Sequence, residues 1–337
     1  MSAQRIGVEG GPVAVKVDVP GSENAGKGIK AIDPARYGSL VQPGDGYAFD
    51  IYTQVARAVR DGAGLAGLKP KRVIAGGESQ SAFALVTYHN GVQPLTRAFD
   101  GFFVHSRGAV GLPLAAPGQY AGIADAIRGT PVVFRDDVAA PIMDLQTETD
   151  VASILNSYSA RQDDSKTFRL WEVAGTAHAD QHLVGANADL MKCGVPINDG
   201  PLHIVAKAAY HDLKTWLTTG TAPVKAPRID VSNSPSVAVV RDADGIAEGG
   251  IRTPPADVPV TALSGAPGPN PSTICLLLGS SAPLSDARLA ELYPSRASYL
   301  KQYKQATNAA IKAGFVLPAD KAALLSFAQP ELLGDAG

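Results

Sequence analysis

The sequence predicts an α/β fold, a mostly parallel sheet flanked by helices, with a helical region at the C-terminal end. Between residues 47 and 218, short apolar runs of strand length alternate with segments whose apolar residues recur at helical spacing. Such alternation is typical of parallel strands joined by right-handed helical crossovers. Residues 227–283 are rich in Pro, Gly and Ser, and helical spacing returns from residue 286. The sheet is therefore expected in the first two thirds of the chain.

Each element is predicted from its apolar period, its length and the turn residues that bound it. Residues 13–19 alternate apolar and polar side chains, as a half-buried strand does. Buried strands are expected at 71–77, 99–105, 141–146 and 168–173, with a weaker strand signal at 236–240. Helices are expected at 47–61, 81–89, 119–127, 201–218, 286–292, 295–313 and 318–328.

The composition excludes several classes of function. The 337 residues are 45% hydrophobic and 18% charged, which is enough apolar material for a large core. The formal net charge is −2 and there is no basic block, so we expect no nucleic-acid partner.

We expect no membrane span because no run of eighteen apolar residues occurs, and residues 1–8 lack the apolar segment of a signal peptide. A cytoplasmic location is the default expectation, and no oligomeric state is predicted.

The two cysteines, Cys193 and Cys275, form no CxxC pair and no Cys/His cluster, so we expect no zinc site. Two buried thiols are the expected state, since a disulfide between them would require an oxidising compartment.

The segment of residues 77–81 carries the strongest chemical signal. It has the sequence Gly-Glu-Ser-Gln-Ser and lies between a predicted buried strand and a predicted helix. A serine on a sharp strand-to-helix turn is the nucleophile arrangement of the α/β-hydrolase fold, and the strained backbone there needs small residues on both sides. Gly77 and Ser81 are small, although Ser81 replaces the usual second glycine. Ser79 is therefore the predicted nucleophile, against the alternative of an ordinary turn with a capping serine.

The acid and the base should follow later strands, in the order Ser, Asp or Glu, His. The strand at 141–146 runs into Glu148 and Asp150. We favour Asp150 as the acid because of its distance beyond the strand end, and Glu148 is the alternative. His178 follows the strand at 168–173 in a Gly-containing loop and is the predicted base. The His178–His182 spacing could place two ligands on a helix face, but the glutamate of a zinc-protease motif is absent, so we predict no metal.

These residues predict acyl transfer to serine. His178 would take the proton of Ser79, the carboxylate would orient the imidazole, and the Gln80 N–H would donate to the oxyanion. This chemistry needs no cofactor, and the expected partner is a small-molecule ester.

Several segments resemble the bacterial proteins called alpha/beta hydrolase domain-containing proteins, over nearly the whole chain. The matching segments are residues 33–40, 43–45, 69–82, 145–151, 175–180, 197–201, 249–254 and 292–294. The resemblance implies the same serine, acid and histidine, and it supplies no substrate.

One departure from that family concerns the N-terminal part. A segment like residues 2–8 follows a sizeable N-terminal region in the family, whereas only 78 residues precede Ser79 here. We therefore expect a sheet that lacks the usual N-terminal strands or rebuilds them from residues 5–40. If they are lacking, the sheet has an exposed edge and the oxyanion hole is half built.

The domain expectation is an α/β-hydrolase core over residues 1–226, with 107–140 as a cap segment over the pocket. Residues 227–337 would then pack on the core as an irregular and afterwards helical region. The leading functional hypothesis is a carboxylic ester hydrolase. The alternatives are a non-catalytic or weakly active truncated hydrolase that binds a ligand or partner, and a metal-dependent hydrolase centred on His178 and His182.

Overall fold

A computed structural model describes residues 3–13, 17, 19–234 and 236–334. The strands are β1 (Ile74–Glu78), β2 (Gly101–His105), β3 (Ile142–Thr147), β4 (Phe168–Val173), β5 (Val231–Ser232), β6 (Ala238–Val239), β7 (Thr261–Ser264) and β8 (Ser280–Pro283). Short 3-10 turns lie at Ser22–Asn24, Asp45–Tyr47, Ser157–Ala160, Gly185–Leu190, Cys275–Leu277, Pro318–Asp320 and Pro330–Leu332, and one π turn lies at Tyr88–Val92.

The helices are α1 (Arg5–Glu9), α2 (Ile29–Ile32), α3 (Pro34–Tyr37), α4 (Ala48–Arg60), α5 (Gln80–Thr87), α6 (Gln93–Thr96), α7 (Ile123–Ala126), α8 (Glu148–Ala152), α9 (Gln181–Val184), α10 (Leu202–Thr219), α11 (Pro254–Asp257), α12 (Asp286–Leu292), α13 (Arg296–Ala313) and α14 (Lys321–Leu325). In the part of the chain that the structure describes, none of them has the length and apolar character that a membrane crossing needs.

The main sheet has four strands in the order β1-β2-β3-β4. Strands β1 and β2 pair in parallel, from Ile74 opposite Gly101 to Glu78 opposite His105. Every residue of β3 is buried, and so are five of the six in β4, as expected of strands covered on both faces. The predicted α/β class, with helices flanking a parallel sheet and helices at the C-terminal end, is confirmed.

The helices predicted at 47–61, 81–89, 201–218, 286–292 and 295–313 are α4, α5, α10, α12 and α13, whereas those predicted at 119–127 and 318–328 are shorter in the structure, as α7 and α14. The four predicted strands of the sheet are β1 to β4, and β1 begins at Ile74, three residues later than predicted. The strand predicted at 13–19 lies partly outside the described residues. Of its described members, Val13, Val17 and Val19 are in irregular backbone.

Strand β1 lies at one end of the sheet order, so within the described residues its outer edge pairs with no other strand. It is also the first strand in the described part of the chain.

The chain folds into two compact units, and the first comprises Met1–Ile142 and Ser159–Thr167. In this unit α4 packs through aromatic rings on the π turn that follows α5 and on the segment before β2. The Tyr52 and Tyr88 ring centroids lie 5.6 Å apart edge to face, and Tyr52 lies 4.9 Å from Phe99. The hydroxyls of Thr53 and Tyr88 lie 2.6 Å apart in the same cluster. These contacts fix the helix that leaves the Ser79 turn.

The second unit comprises Met143–Tyr158 and Phe168–Gly337. The β7–β8 hairpin is antiparallel, with Thr261 opposite Pro283, and Ile251 forms a bridge to Val173 at the end of β4. Tyr293, Tyr299 and Tyr303 form a buried cluster among the C-terminal helices. The domain boundary near residue 226 stays a prediction.

The cysteine prediction was wrong. Cys193 and Cys275 form a disulfide with a Cα–Cα distance of 5.4 Å, although 82 positions separate them in the sequence. Both residues are buried together with Ile197 and Leu278. Folding brings their two loops side by side, and the local spacing of the cysteines carried no signal of that approach.

Candidate active site

Ser79 occupies the turn between β1 and α5 with φ 54° and ψ −125°. Residues other than glycine seldom adopt this backbone region, and it persists only where the surroundings hold it. The Ser79 N–H donates to the His105 carbonyl at 3.1 Å, and the Ser79 carbonyl accepts from the Ala82 N–H at 2.8 Å. The backbone N–H of Ser79 therefore bonds β2, and its backbone carbonyl bonds α5.

Gly77 makes the sharpness of this turn sterically possible. A Cβ atom at Gly77 would lie 2.8 Å from the backbone of Ser81 and 2.9 Å from the Leu85 side chain. A Cβ at the neighbouring Gly76 would meet nothing within 4 Å. The requirement for a small residue two positions before the serine thus has a direct cause, which is the close return of α5 over β1.

The N-terminus of α5 faces the turn, and Gln80 is its first residue. The first amides of a helix have no intrahelical acceptor and carry the positive end of the helix dipole, so they suit an anionic ligand. The Gln80 side chain donates from Nε2 to Gln4 Oε1 at 3.0 Å, and Gln4 Nε2 donates to the Ala121 carbonyl. Residues near the start of the chain therefore reach the serine turn.

A cavity of about 350 Å³ lies in the first unit beside this turn. Its lining includes Ser81 and Gly76 next to the turn. The apolar part of the lining is formed by Phe49, Tyr52, Leu85, Tyr88 and Leu112. Leu112, Pro113 and Ala121 come from the segment 107–140, in which the cap was predicted. The cavity suits a small, largely apolar group.

In the second unit, Asp150 and His178 are paired. His178 Nδ1 lies 2.7 Å from Asp150 Oδ1, and both residues are buried. The other carboxylate oxygen, Oδ2, accepts the Thr147 N–H at 2.7 Å, while the Thr147 hydroxyl accepts the Asp150 N–H. Thr147 and Asp150 thus form a capping box that starts α8 directly after β3. The capping bonds fix the orientation of the Asp150 carboxylate.

The charge of Asp150 follows from these contacts. Burial by itself would raise the pKa of the carboxyl, but the charge of His178 and the hydrogen bonds from His178 and Thr147 together outweigh burial and hold the pKa below 3.8. Since the carboxylate is ionised, the proton of the shared bond is on His178 Nδ1. In that tautomer Nε2 carries the lone pair of the neutral ring, as a general base requires.

The hydrogen-bond partners of Glu148, the alternative acid, include backbone N–H groups and an arginine of the same unit. Its carboxylate accepts the N–H of Gly175 through Oε2 at 2.8 Å and the N–H of Gly265 through Oε1 at 2.8 Å. Arg241 donates to Oε1 at 2.5 Å.

His178 and His182 contact different partners. The ring of His182 stacks on His203 with centroids 3.7 Å apart, whereas Nδ1 of His178 bonds Asp150. Burial and the facing His182 lower the pKa of His203 to about 4. Within the described ranges no three His, Cys, Asp or Glu side chains are grouped to hold a metal ion.

Asn198 is a site residue that the sequence reasoning missed. Its Nδ2 donates to the carbonyls of Gly175 and Ser264, and its Oδ1 accepts the Gly200 N–H. The sequence signals were the turn-forming triplet Asn-Asp-Gly at 198–200 and the place of Asn198 in the segment 197–201 that resembles the family, and neither indicates contact with the histidine loop. Arg241 had no local signal, because 93 positions separate it from Glu148.

A protein-family model described as "Alpha/beta hydrolase domain" matches residues 1–326. No curated protein and no solved structure matches the chain. The family match therefore covers both the segment that holds Ser79 and the segments that hold Asp150 and His178.

Proposed function

The chain belongs to the alpha/beta hydrolase domain family, and on that premise we propose that it is a serine hydrolase that cleaves a carboxylic ester or a related acyl bond. Ser79 is the nucleophile and His178 is the general base. Asp150 orients the imidazole and stabilises the imidazolium that forms. The single observation that carries the proposal is the buried Asp150–His178 bond of 2.7 Å, because it gives His178 its basic tautomer.

The proposed reaction has two halves. The Ser79 hydroxyl oxygen attacks the ester carbonyl carbon while His178 Nε2 takes the hydroxyl proton, and the carbonyl oxygen becomes an oxyanion that the Gln80 N–H stabilises. The C–O bond to the alcohol breaks, and the alcohol leaves with the proton from His178. Water then attacks the acyl-enzyme with His178 as base, and the acid product leaves as Ser79 regains its proton.

The cavity beside the serine turn supports a substrate with a small apolar group. Phe49, Tyr52, Leu85 and Leu112 line it, and Gln4 and Asp45 supply polar groups at its wall. We propose that this cavity takes the acyl or alcohol part of the ester. Segment 107–140, which contributes Leu112, is proposed as the cap of the core.

Labelling with a fluorophosphonate probe and turnover of a short-chain aryl ester test the proposal. Ser79→Ala should abolish labelling, and His178→Ala should reduce turnover by about 1000-fold. Ser39→Ala changes an exposed serine of the same unit and should leave both signals intact. Labelling that survives Ser79→Ala would contradict the proposal.

A second candidate is a non-catalytic or weakly active member of the family that binds a ligand or partner. The observation that favours it is the position of β1 at one end of the described sheet. Turnover of the aryl ester that disappears in His178→Ala would rule this candidate out.

The disulfide also bears on the compartment. A bond between Cys193 and Cys275 favours folding in an oxidising compartment, so we propose that location in place of the cytoplasmic default.

A further inference from the structure

The turn that follows β4 determines where His178 lies. Gly175, three residues before His178, has φ +70°, and its backbone is held on both sides. Its N–H donates to Glu148 and its carbonyl accepts from Asn198 Nδ2 at 3.1 Å. A shift of this turn would move the imidazole relative to Asp150.

The Glu148 side chain is fully buried, and four donors surround its carboxylate. The N–H of Gly175 bonds Oε2. The N–H of Gly265 at 2.8 Å, the Ser264 hydroxyl at 3.3 Å and the Arg241 guanidinium at 2.5 Å bond Oε1. A buried carboxylate is tolerated when its charge is paired and its oxygens are bonded, and both conditions are met here.

Arg241 is itself held in place. Its Nη1 donates to the Gly245 carbonyl at 3.0 Å, and the side chain is about one quarter exposed. The guanidinium therefore approaches the buried carboxylate from the surface of the second unit and places a positive charge beside it.

The segment around Gly265 packs closely against the start of α8. A Cβ at Gly265 would lie 2.4 Å from the Thr149 nitrogen, and the Thr149 hydroxyl donates to the Gly265 carbonyl at 2.7 Å. One turn of α8 thus carries Asp150, which bonds the imidazole, and Glu148, which bonds the loop that bears the imidazole.

We propose that Glu148, paired with Arg241, is a positioning residue that sets the distance between Asp150 and His178 by holding the Gly175 turn. This role rests on the proposed function, because it acts through the proposed base. Glu148 itself exchanges no proton in the reaction.

The variant Glu148→Gln isolates the role. An amide keeps the shape of the side chain but places an NH₂ group where one carboxylate oxygen accepts an N–H, so either Gly175 or the Gly265–Arg241 side loses its acceptor. The expected result is a fall in kcat of about 10-fold to 100-fold, with KM changed by no more than about 2-fold, because the reacting groups shift while the pocket stays.

The pH profile separates positioning from general stability. A longer Asp150–His178 bond stabilises the imidazolium less, so the acid limb of kcat/KM should move to lower pH in Glu148→Gln. The matched control is Asp244→Asn, which changes a carboxylate that pairs with Arg288 at 2.7 and 2.9 Å in the same unit. The control should move neither kcat nor the acid limb.

A proton NMR measurement gives a readout that does not depend on ester turnover. The Nδ1 proton of His178 in its bond to Asp150 should resonate far downfield in the wild-type chain, with the assignment made by its loss in His178→Ala. The signal should shift upfield or broaden in Glu148→Gln and stay unchanged in Asp244→Asn. A chain without esterase activity that shows this pattern would sink the proposed function and leave the positioning role standing.

Arg241→Lys covers the case in which Glu148→Gln does not fold. Lysine keeps the charge but loses the forked guanidinium, so a smaller fall in kcat, about 2-fold to 5-fold, and the same direction of NMR change are expected. An unshifted His178 resonance together with an unshifted acid limb, in whichever of the two variants folds, would overturn the proposal.

Discussion

The carboxylate of Asp150 bonds both the imidazole of His178 and the N-terminal cap of α8, the helix that carries Asp150. Oδ1 lies 2.7 Å from His178 Nδ1, and Oδ2 accepts the Thr147 N–H at the same distance. A rotation of the carboxylate therefore disturbs both bonds. The orientation of the acid is therefore coupled to the cap of α8.

This coupling predicts a pH-dependent effect of Asp150→Asn on stability. The folded-state pKa of Asp150 is lowered below 3.8, so the carboxylate contributes stability that is fully present above the unfolded-state pKa and is lost as pH falls through the folded-state pKa. Urea unfolding should show a lower free energy of unfolding for the variant at neutral pH, and the difference from wild type should narrow below pH 3.8.

Asp180→Asn is the matched control for that experiment. Burial raises the pKa of Asp180 above 3.8, so its linkage has the opposite sign, and its stabilising contribution is present at low pH and lost as pH rises. Its side chain caps α9 by accepting the Leu183 N–H at 2.8 Å, a bond that asparagine can also make. If the difference in free energy of unfolding from wild type changed with pH in the same direction for both variants, the opposite pKa shifts of Asp150 and Asp180 would be contradicted.

A second prediction concerns the serine turn. Gly77→Ala should destabilise the chain by about 1 to 3 kcal/mol, because the new Cβ meets the Ser81 backbone at 2.8 Å and α5 must move. Gly76→Ala adds the same atom one residue earlier in open space and should change the free energy of unfolding by no more than about 0.5 kcal/mol. Equal costs in urea unfolding would show that the turn tolerates a larger residue.

A third prediction concerns the disulfide. Closing a loop of 82 positions restricts the unfolded chain, so reduction, or the double variant Cys193→Ser with Cys275→Ser, should lower the free energy of unfolding by about 4 kcal/mol. Thiol titration of the unreduced, denatured chain should find no reactive thiol. Two thiols under those conditions would restore the expectation of a reduced pair.

A fourth prediction concerns Asn198, which is fully buried. Asn198→Ala leaves the Gly175 and Ser264 carbonyls and the Gly200 N–H without the amide that they bond, and we expect a cost of about 3 kcal/mol or more. Asn270→Ala removes a more accessible asparagine of the same unit, which bonds Lys192 and Ser272, and should cost no more than about 1 kcal/mol. If urea unfolding showed similar losses of free energy of unfolding for the two variants, Asn198 would not be a residue that holds the histidine loop in place.

The sequence predicted most of the main sheet because burial leaves a local trace. The apolar run that became β4 is buried at five of its six positions, and α10 keeps one apolar face over 18 residues. Weak or short signals were less informative, since the stretch at 236–240 forms only the two-residue strand Ala238–Val239. Such short pairs depend on the neighbour that covers them more than on their own propensity.

The sequence by itself determined the α/β class and the positions of Ser79, Asp150 and His178 after strands β1, β3 and β4, because strand ends and sharp turns are local properties of the chain. Only the tertiary structure decided that Asp150 bonds His178, that Glu148 holds Gly175, and that Cys193 reaches Cys275. Those contacts join residues 27 to 82 positions apart, and such separations are closed by the packing of loops whose approach no local pattern records.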